Sequence, residues 1–198
     1  MKKWDEMDET KMYIIQNKIY TEEDWLNLSD NENAELIDGA LIMLAAPSWK
    51  HQKVSANLTA NFHYKLKGSG GDVYHAPCGI KLNENTENIY EPDLFVVCKD
   101  LYDLDKSCNI VRPSLIIEIL SPSTGRYDKT RKLIHYINAG VEEIWIIDIL
   151  DKEPIVTVYL KIENYNGAVY KKDSIVDALN GIKIDLKDIF DWREMIGE

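Results

Sequence analysis

A short apolar run, a segment with helical spacing and a second apolar run follow one another within residues 113–148. The two runs, residues 114–120 and 144–147, are typical of parallel strands joined by a crossover helix. Such a unit belongs at the middle of a domain. One charge, Glu118, interrupts the first run. A carboxylate on a strand buried on both faces is costly unless a cation, a metal or strong donors compensate it.

The remaining elements are predicted from turn and helix signals. Thr21 and Asp24 resemble a capping box and predict a short helix. Asp38-Gly39 is the strongest two-residue hairpin signal in the chain. A longer helix is predicted from Ser48 to its end near Gly68. Further predictions are strands at 73–82 and 90–98, a loop at 99–112, a hairpin about Asn166-Gly167, and a strand with a helical turn at 175–190.

The composition fits one domain with a substantial core. The chain has 198 residues, of which 45% are apolar and 29% charged. We expect a lead-in at residues 1–19, a single domain at 20–190 and a tail at 191–198. No apolar run reaches the roughly 20 residues that span a bilayer, so we expect a cytoplasmic protein without a membrane partner. Three cysteines without CxxC spacing suggest neither a disulfide framework nor a zinc cluster.

The charge balance limits the kinds of partner. The net charge is -11 and the pI is near 4.9. Non-specific nucleic-acid binding depends on neutralising phosphates with basic surface, so a broad DNA-coating role is disfavoured. A local basic strip, or an acidic site whose carboxylates are neutralised by a bound metal, is still compatible with this balance.

A second carboxylate joins Glu118 in the predicted sheet. Asp93 opens the strand that precedes the strand of Glu118, so neighbouring strands would present the two side by side. Two close carboxylates repel each other, and at least one is protonated unless a hard cation lies between them. A lysine near the two carboxylates would complete a site for phosphodiester hydrolysis. In that reaction a metal-bound water loses a proton and the phosphate gains negative charge, which an ammonium group can stabilise.

At these residues the chain resembles the Uma-two family of restriction-type endonucleases, within the PD-(D/E)XK nuclease superfamily. The resemblance covers roughly residues 20–190, and it rests on the order and spacing of several motifs. The matching residues are Glu35 in ELIDG, His51 in WKHQKV, Pro92 and Asp93 in EPDLFVV, Glu118 in IIEILSPST, and Asp128 and Lys132 in YDKTRKLIHY.

The resemblance implies an α+β fold with a restriction-endonuclease-like core, in which helices flank a mixed β-sheet. It also implies Mg²⁺-dependent or Mn²⁺-dependent hydrolysis of phosphodiester bonds in nucleic acid, with DNA expected first. Asp93 and Glu118 would be catalytic metal ligands, completed by Glu35 and by a backbone carbonyl near Ile119. His51 and Asp128 are peripheral candidates.

The chain departs from the superfamily pattern at the lysine. That residue is expected two positions after the glutamate, on the same side of the strand, where this chain has Leu120. In the Uma-type pattern the lysine lies on the next helix, and Lys132 occupies that place as the third catalytic candidate. Lys129, one turn earlier, is the competing candidate.

Two alternatives stay open. Glu118 on its own is equally consistent with a structural ion pair to Arg112 or Arg126. The acidic surface and the leucine at position 120 are also consistent with a catalytically inactive binding or assembly protein that keeps the nuclease fold. For an enzyme that cuts both strands of a duplex, a homodimer is the simplest arrangement.

Overall fold

The computed structural model describes residues 18–29, 32–98, 102–121, 128–179 and 181–191, without the side chains of residues 128 and 129. The helices are α1 (Glu22–Leu26), α2 (Trp49–Leu66), α3 (Leu133–Ala139) and α4 (Leu186–Ile189), with a π-helical turn at Asp128–Lys132 and a 3-10 turn at Lys161–Glu163. The strands are β1 (Ala34–Ile37), β2 (Ala40–Met43), β3 (Asp72–His75), β4 (Gly79–Lys81), β5 (Leu94–Val97), β6 (Cys108–Ile110), β7 (Leu115–Ile119), β8 (Glu143–Asp148), β9 (Ile155–Leu160), β10 (Ala168–Lys171), β11 (Ile175–Ala178) and β12 (Ile182–Asp185).

Six strands form the central sheet in the order β10-β9-β8-β7-β5-β3. Strands β7 and β8 run parallel, joined by the crossover through α3, and the other neighbouring pairs of this sheet run antiparallel. Three two-stranded sheets, β1-β2, β4-β6 and β11-β12, accompany it. The predicted strand, crossover helix and strand are therefore present. The predicted fold class, a mixed sheet flanked by helices, is confirmed.

Helices cover both faces of the central sheet. On one face, Phe62 of α2 packs edge-on against Trp145 in a cluster that includes Ile117 and the C-terminal segment. On the other face, Tyr136 of α3 packs in a cluster with Ile116. Burial of each such side chain stabilises the fold by about 1.5–3 kcal/mol. Within the described ranges, no helix combines the length and the apolar character needed to cross a bilayer.

Three local signals act as the sequence predicts. Asp38 and Gly39 have φ of 52° and 77° between β1 and β2, as a tight hairpin turn requires. The side chain of Ser48 caps α2 by accepting a hydrogen bond from the amide of His51. Thr21 forms the reciprocal capping box of α1 with Asp24.

Other boundaries differ from the predictions. The predicted strand at 73–82 is split into β3 and β4, which lie in different sheets, and Pro77 between them has no N–H to donate to a ladder. Strand β6 lies within the predicted loop at 99–112 and pairs in parallel with β4. At the C-terminus the single predicted strand is a hairpin, β11-β12, followed by α4.

Candidate active site

Asp93 and Glu118 lie side by side at one end of the sheet. Leu94 of β5 pairs with Ile117 of β7 in antiparallel register, so the next position along places Asp93 opposite Glu118 on the same face. The amide of Ile119 donates a hydrogen bond of 2.7 Å to Asp93 Oδ2 and fixes this carboxylate against β7. Asp93 is partly exposed, whereas Glu118 is buried.

Lys132 approaches Glu118 from the crossover. It ends the π-helical turn, and its Nζ lies 3.1 Å from Glu118 Oε1 and 2.8 Å from Glu35 Oε1. The lysine is only 4% exposed, so the two carboxylates offset the cost of removing its charge from water. π-Helical turns are frequent at functional sites. This one brings a lysine to the place where the sequence predicted it.

Tyr136, one turn after Lys132, also contacts Glu118. Its hydroxyl donates a hydrogen bond of 2.6 Å to Glu118 Oε1. Burial, and then the charge of Glu118, raises the pKa of Tyr136 well above its ordinary value, so the phenol stays protonated and remains a donor. The sequence pattern placed Tyr136 in the apolar stripe of the helix, where its ring packs, but gave no sign of this hydrogen bond.

Glu35 contacts Lys132 and the backbone of Glu91. Besides its ion pair with Lys132, Glu35 Oε1 accepts a hydrogen bond of 2.9 Å from the amide of Glu91. It is 1% exposed and is absent from the residues that line the adjacent cleft in the described part of the chain. The structure thus places the predicted third metal ligand where it holds the lysine.

His51 is brought to the site by the first turn of α2. Its Nε2 lies 3.2 Å from Asp93 Oδ1, and the ring is nearly buried. The peripheral candidates Asp128 and Lys129 have their backbone in the π-helical turn, but their side chains lie outside the described part of the structure. Arg126, an alternative partner for Glu118, is also outside it.

Glu91 is a residue that the sequence analysis did not select. It is 8% exposed and lines the cleft, and its Oε2 accepts no hydrogen bond from any described residue. Burial, and then the charge of Glu35, raises the pKa of Glu91 to about 7. The sequence did contain one signal for Glu91. Side chains alternate between the two sides of an extended chain, so a residue two positions before Asp93 lies on the same side as Asp93.

The cleft beside these carboxylates has a volume of about 570 Å³. Its lining includes Glu91, Asp93, Glu118 and Lys132. As the side chains stand, the described residues include no group of three His, Cys, Asp or Glu placed to hold a metal ion. The donors are nevertheless carboxylates and backbone carbonyls, the hard oxygen ligands that suit Mg²⁺ and Mn²⁺. The residues therefore fit such an ion in kind, and their rotamers must converge to enclose it.

A mixed sheet that presents paired carboxylates from adjacent strands, with a lysine against one of them, defines a protein of the nuclease fold. A crystal structure of "a putative nuclease belonging to DUF820" from Anabaena variabilis has this fold, with a TM-score of 0.70 and 21% identity over 86% of this chain and 97% of that one. The sequence model of the Uma2 (Uma-two) family matches residues 22–187. The family is described as "Putative restriction endonuclease". The chain belongs to this family.

Two Synechocystis proteins are similar in sequence. The uncharacterized protein slr1290 is 32% identical over 105 residues, which are 53% of this chain and 54% of the relative. The uncharacterized protein sll1609 is 27% identical over 128 residues, which are 63% of this chain and 72% of the relative. The chain thus spans about half the length of the first relative, and neither name carries an activity.

Proposed function

We propose that this protein is a metal-dependent nuclease that hydrolyses phosphodiester bonds of nucleic acid. One observation carries the proposal: Asp93 and Glu118 lie opposite each other on adjacent strands at a cleft, with the Lys132 ammonium 3.1 Å from Glu118. Membership of a restriction-endonuclease family supports the same reaction class.

Asp93 and Glu118 would hold a Mg²⁺ or Mn²⁺ ion, with a backbone carbonyl near Ile119 as a further donor. When bound, such an ion lowers the pKa of a coordinated water and offsets charge on the phosphate oxygens. His51 contacts Asp93 Oδ1 and Ile119 contacts Oδ2, so both oxygens of that carboxylate are oriented by the protein.

Lys132 would stabilise the charge that develops on the phosphate oxygens. A preorganised ammonium in a water-poor site is effective for this task because it needs no reorganisation during the reaction. Glu35 would act as a positioning residue for it, since Glu35 Oε1 lies 2.8 Å from Lys132 Nζ and does not line the cleft within the described residues.

We propose that the substrate is nucleic acid, and we expect DNA rather than RNA. The side chain of Trp49 is 95% exposed at the start of α2, between Ser48 and Lys50, which both line the cleft. An aromatic face at the rim of a cleft is suited to stacking on a nucleobase. Binding by stacking depends less on a basic protein surface than binding through contacts to many phosphates does. The net charge of -11 therefore does not conflict with the proposal.

The direct test is cleavage of labelled DNA and RNA with Mg²⁺ or Mn²⁺ by the parent protein and by Asp93→Ala. The variant should lose cleavage, because one metal ligand is gone. Asp173→Asn is the control, because it also removes an aspartate charge. The side chain of Asp173 is 84% exposed and does not line the cleft in the described part of the chain. Equal cleavage by the parent and Asp93→Ala would overturn this site assignment.

A second candidate function is a non-catalytic binding or assembly protein. The observation in its favour is that Lys132 already pairs with two buried carboxylates, as a structural ion-pair network would. Calorimetry separates the two functions. Tight Mn²⁺ binding that Glu118→Ala abolishes is expected for the enzyme, whereas a pure scaffold has no reason to bind the ion.

We further propose that the active form is a homodimer, because cutting both strands of a duplex commonly requires two sites. Strand β10 is an edge of the central sheet, and Val169 on it is exposed. Light scattering at several protein concentrations measures the mass directly, and a monomer that still cuts both strands would contradict this proposal.

A further inference from the structure

Glu91 is a buried carboxylate whose environment is incomplete. Its backbone amide is fixed by the hydrogen bond to Glu35 Oε1, so its position in the cleft wall is set. Its side chain is 8% exposed, and Oε2 is buried without a hydrogen-bond partner among the described residues. An uncompensated carboxylate in such a place destabilises the protein, because burial removes its hydration.

Glu143 shows that this chain can satisfy a buried carboxylate with its own donors. The indole Nε1 of Trp145 donates a hydrogen bond of 2.6 Å to Glu143 Oε1, and the amide of Leu179 donates one of 2.7 Å to Oε2. Both oxygens of Glu143 are thus paired by the fold. The difference at Glu91 calls for a partner that the described residues do not supply.

The local charge indicates a cation as that partner. Glu35, Glu91 and Glu118 are all buried, and Asp93 lies opposite Glu118. Lys132 is the buried cation that the structure describes among them. Among the described residues, these four carboxylates outnumber the ammonium groups that line the cleft, those of Lys50 and Lys132. A divalent cation would offset the excess, and oxygen donors are its preferred ligands.

We propose that Glu91 is the third carboxylate ligand of the cation site formed by Asp93 and Glu118. The proposal rests on the proposed function and deepens it. The sequence assigned the third position to Glu35, which contacts Lys132 and, unlike Glu91 and Glu118, is absent from the described residues that line the cleft. In this assignment Glu35 positions the lysine, Asp93 and Glu91 serve the cation, and Glu118 does both, since its Oε1 also contacts Lys132.

The test is isothermal titration of the full chain with MnCl₂ in an alkaline buffer, so that binding is measured without any substrate. Glu91→Gln keeps the shape of the side chain and removes its charge. We expect its Mn²⁺ affinity to fall about 10- to 100-fold. Removing a residue that only supports a metal ligand already lowers metal affinity by this factor, so the loss of a ligand should cost at least as much. Without Mn²⁺ the melting temperature of Glu91→Gln should equal or exceed that of the parent, because the unpaired charge is gone.

The controls separate this proposal from the wider one. If the parent binds Mn²⁺, Asp93→Asn abolishes binding and Glu91→Gln binds like the parent, then Glu91 is not a ligand and the nuclease proposal survives. If the parent does not bind Mn²⁺, both proposals fail. Glu35→Gln should weaken binding less than Glu91→Gln, and the reverse order would return the third position to Glu35. Glu91→Ala serves as a second variant if Glu91→Gln does not fold.

Discussion

Replacing Lys132 by methionine is the sharpest test of the buried network at the candidate site. Methionine keeps an unbranched side chain as far as the ε carbon and removes the ammonium. In the parent, that ammonium lies 2.8 Å from Glu35 Oε1 and 3.1 Å from Glu118 Oε1. Because both carboxylates are 1% exposed, neither can recover its hydration when the lysine is lost.

The expected loss of stability is large. Removing one partner of a buried ion pair costs about 3–5 kcal/mol, mostly because the remaining charge is left uncompensated. A domain of this kind has a total unfolding free energy of about 5–15 kcal/mol. For a chain of this size, each kcal/mol lowers Tm by about 2–4 °C, so Lys132→Met should melt about 6–20 °C below the parent.

Urea unfolding followed by circular dichroism gives the free energy directly, with and without a second substitution, Glu35→Gln. The double variant Lys132→Met/Glu35→Gln should recover part of the loss, since one of the two uncompensated charges is then removed. Residues in one ion-pair network are expected to be non-additive in this way.

Lys81→Met is a matched control, because Lys81 is also a buried lysine. Its Nζ lies 2.5 Å from Glu22 Oε2, but the side chain of Glu22 is 37% exposed and can be hydrated when the lysine is removed. That variant should lose only about 1 kcal/mol. If Lys132→Met loses no more than Lys81→Met, or if Glu35→Gln brings no recovery, the reasoning about an uncompensated buried charge is refuted.

Three further predictions concern other residues. Tyr136→Phe removes the hydrogen bond to Glu118 and should lower the urea-unfolding free energy by about 1–3 kcal/mol. Burial raises the pKa of Glu143 above its ordinary 4.5, so the stability that this group contributes is present below pH 4.5 and is lost as pH rises through the folded pKa. Urea unfolding at several pH values should therefore show a smaller loss of stability above pH 4.5 for Glu143→Gln than for the parent. Trp49→Ala should weaken single-stranded DNA binding by about 1–3 kcal/mol in fluorescence anisotropy, whereas Ile134→Ala, an exposed apolar control on α3, should not.

The pairing of Asp93 with Glu118 could be predicted because it depends on chain order. Consecutive strands usually lie next to each other, and a short apolar run with one charge is visible in the sequence. The turn at Asp38-Gly39 was equally accessible, since both residues adopt positive φ. These features are local, or follow from one neighbour relation in the sheet.

The environment of Glu91 could not be predicted, because burial depends on how several segments meet. Whether Oε2 finds a donor is decided by the positions of neighbouring side chains, which sequence spacing does not give. The hydrogen bond from Tyr136 to Glu118 is a similar case. The same helical stripe that predicts a packed ring is compatible with any partner for its hydroxyl.

The hairpin between β9 and β10 was predicted from Asn166-Gly167, but these two residues do not supply the left-handed backbone of the turn. The left-handed residues are Asn164 and Tyr165, with φ of 53° and 56°. Gly167 is needed for a different reason. A Cβ at this position would lie 2.9 Å from Cε1 of Tyr159, so the glycine permits close packing across the hairpin.

The shift of the lysine from the strand to the crossover follows from what the chemistry requires. The proposed reaction would need an ammonium at one point in space, and the fold can deliver it from any element within reach of that point. At position 120 the leucine packs in the cluster that contains Tyr136 of α3 and also lines the cleft, so a lysine there would lose apolar contacts. A π-helical turn holds one residue more than an α-helical turn and so changes which side chains face the sheet. Lys132, at the end of such a turn, reaches Glu118 Oε1 without occupying that core position. The position of Lys132 Nζ is therefore more diagnostic than the spacing of a motif along the strand.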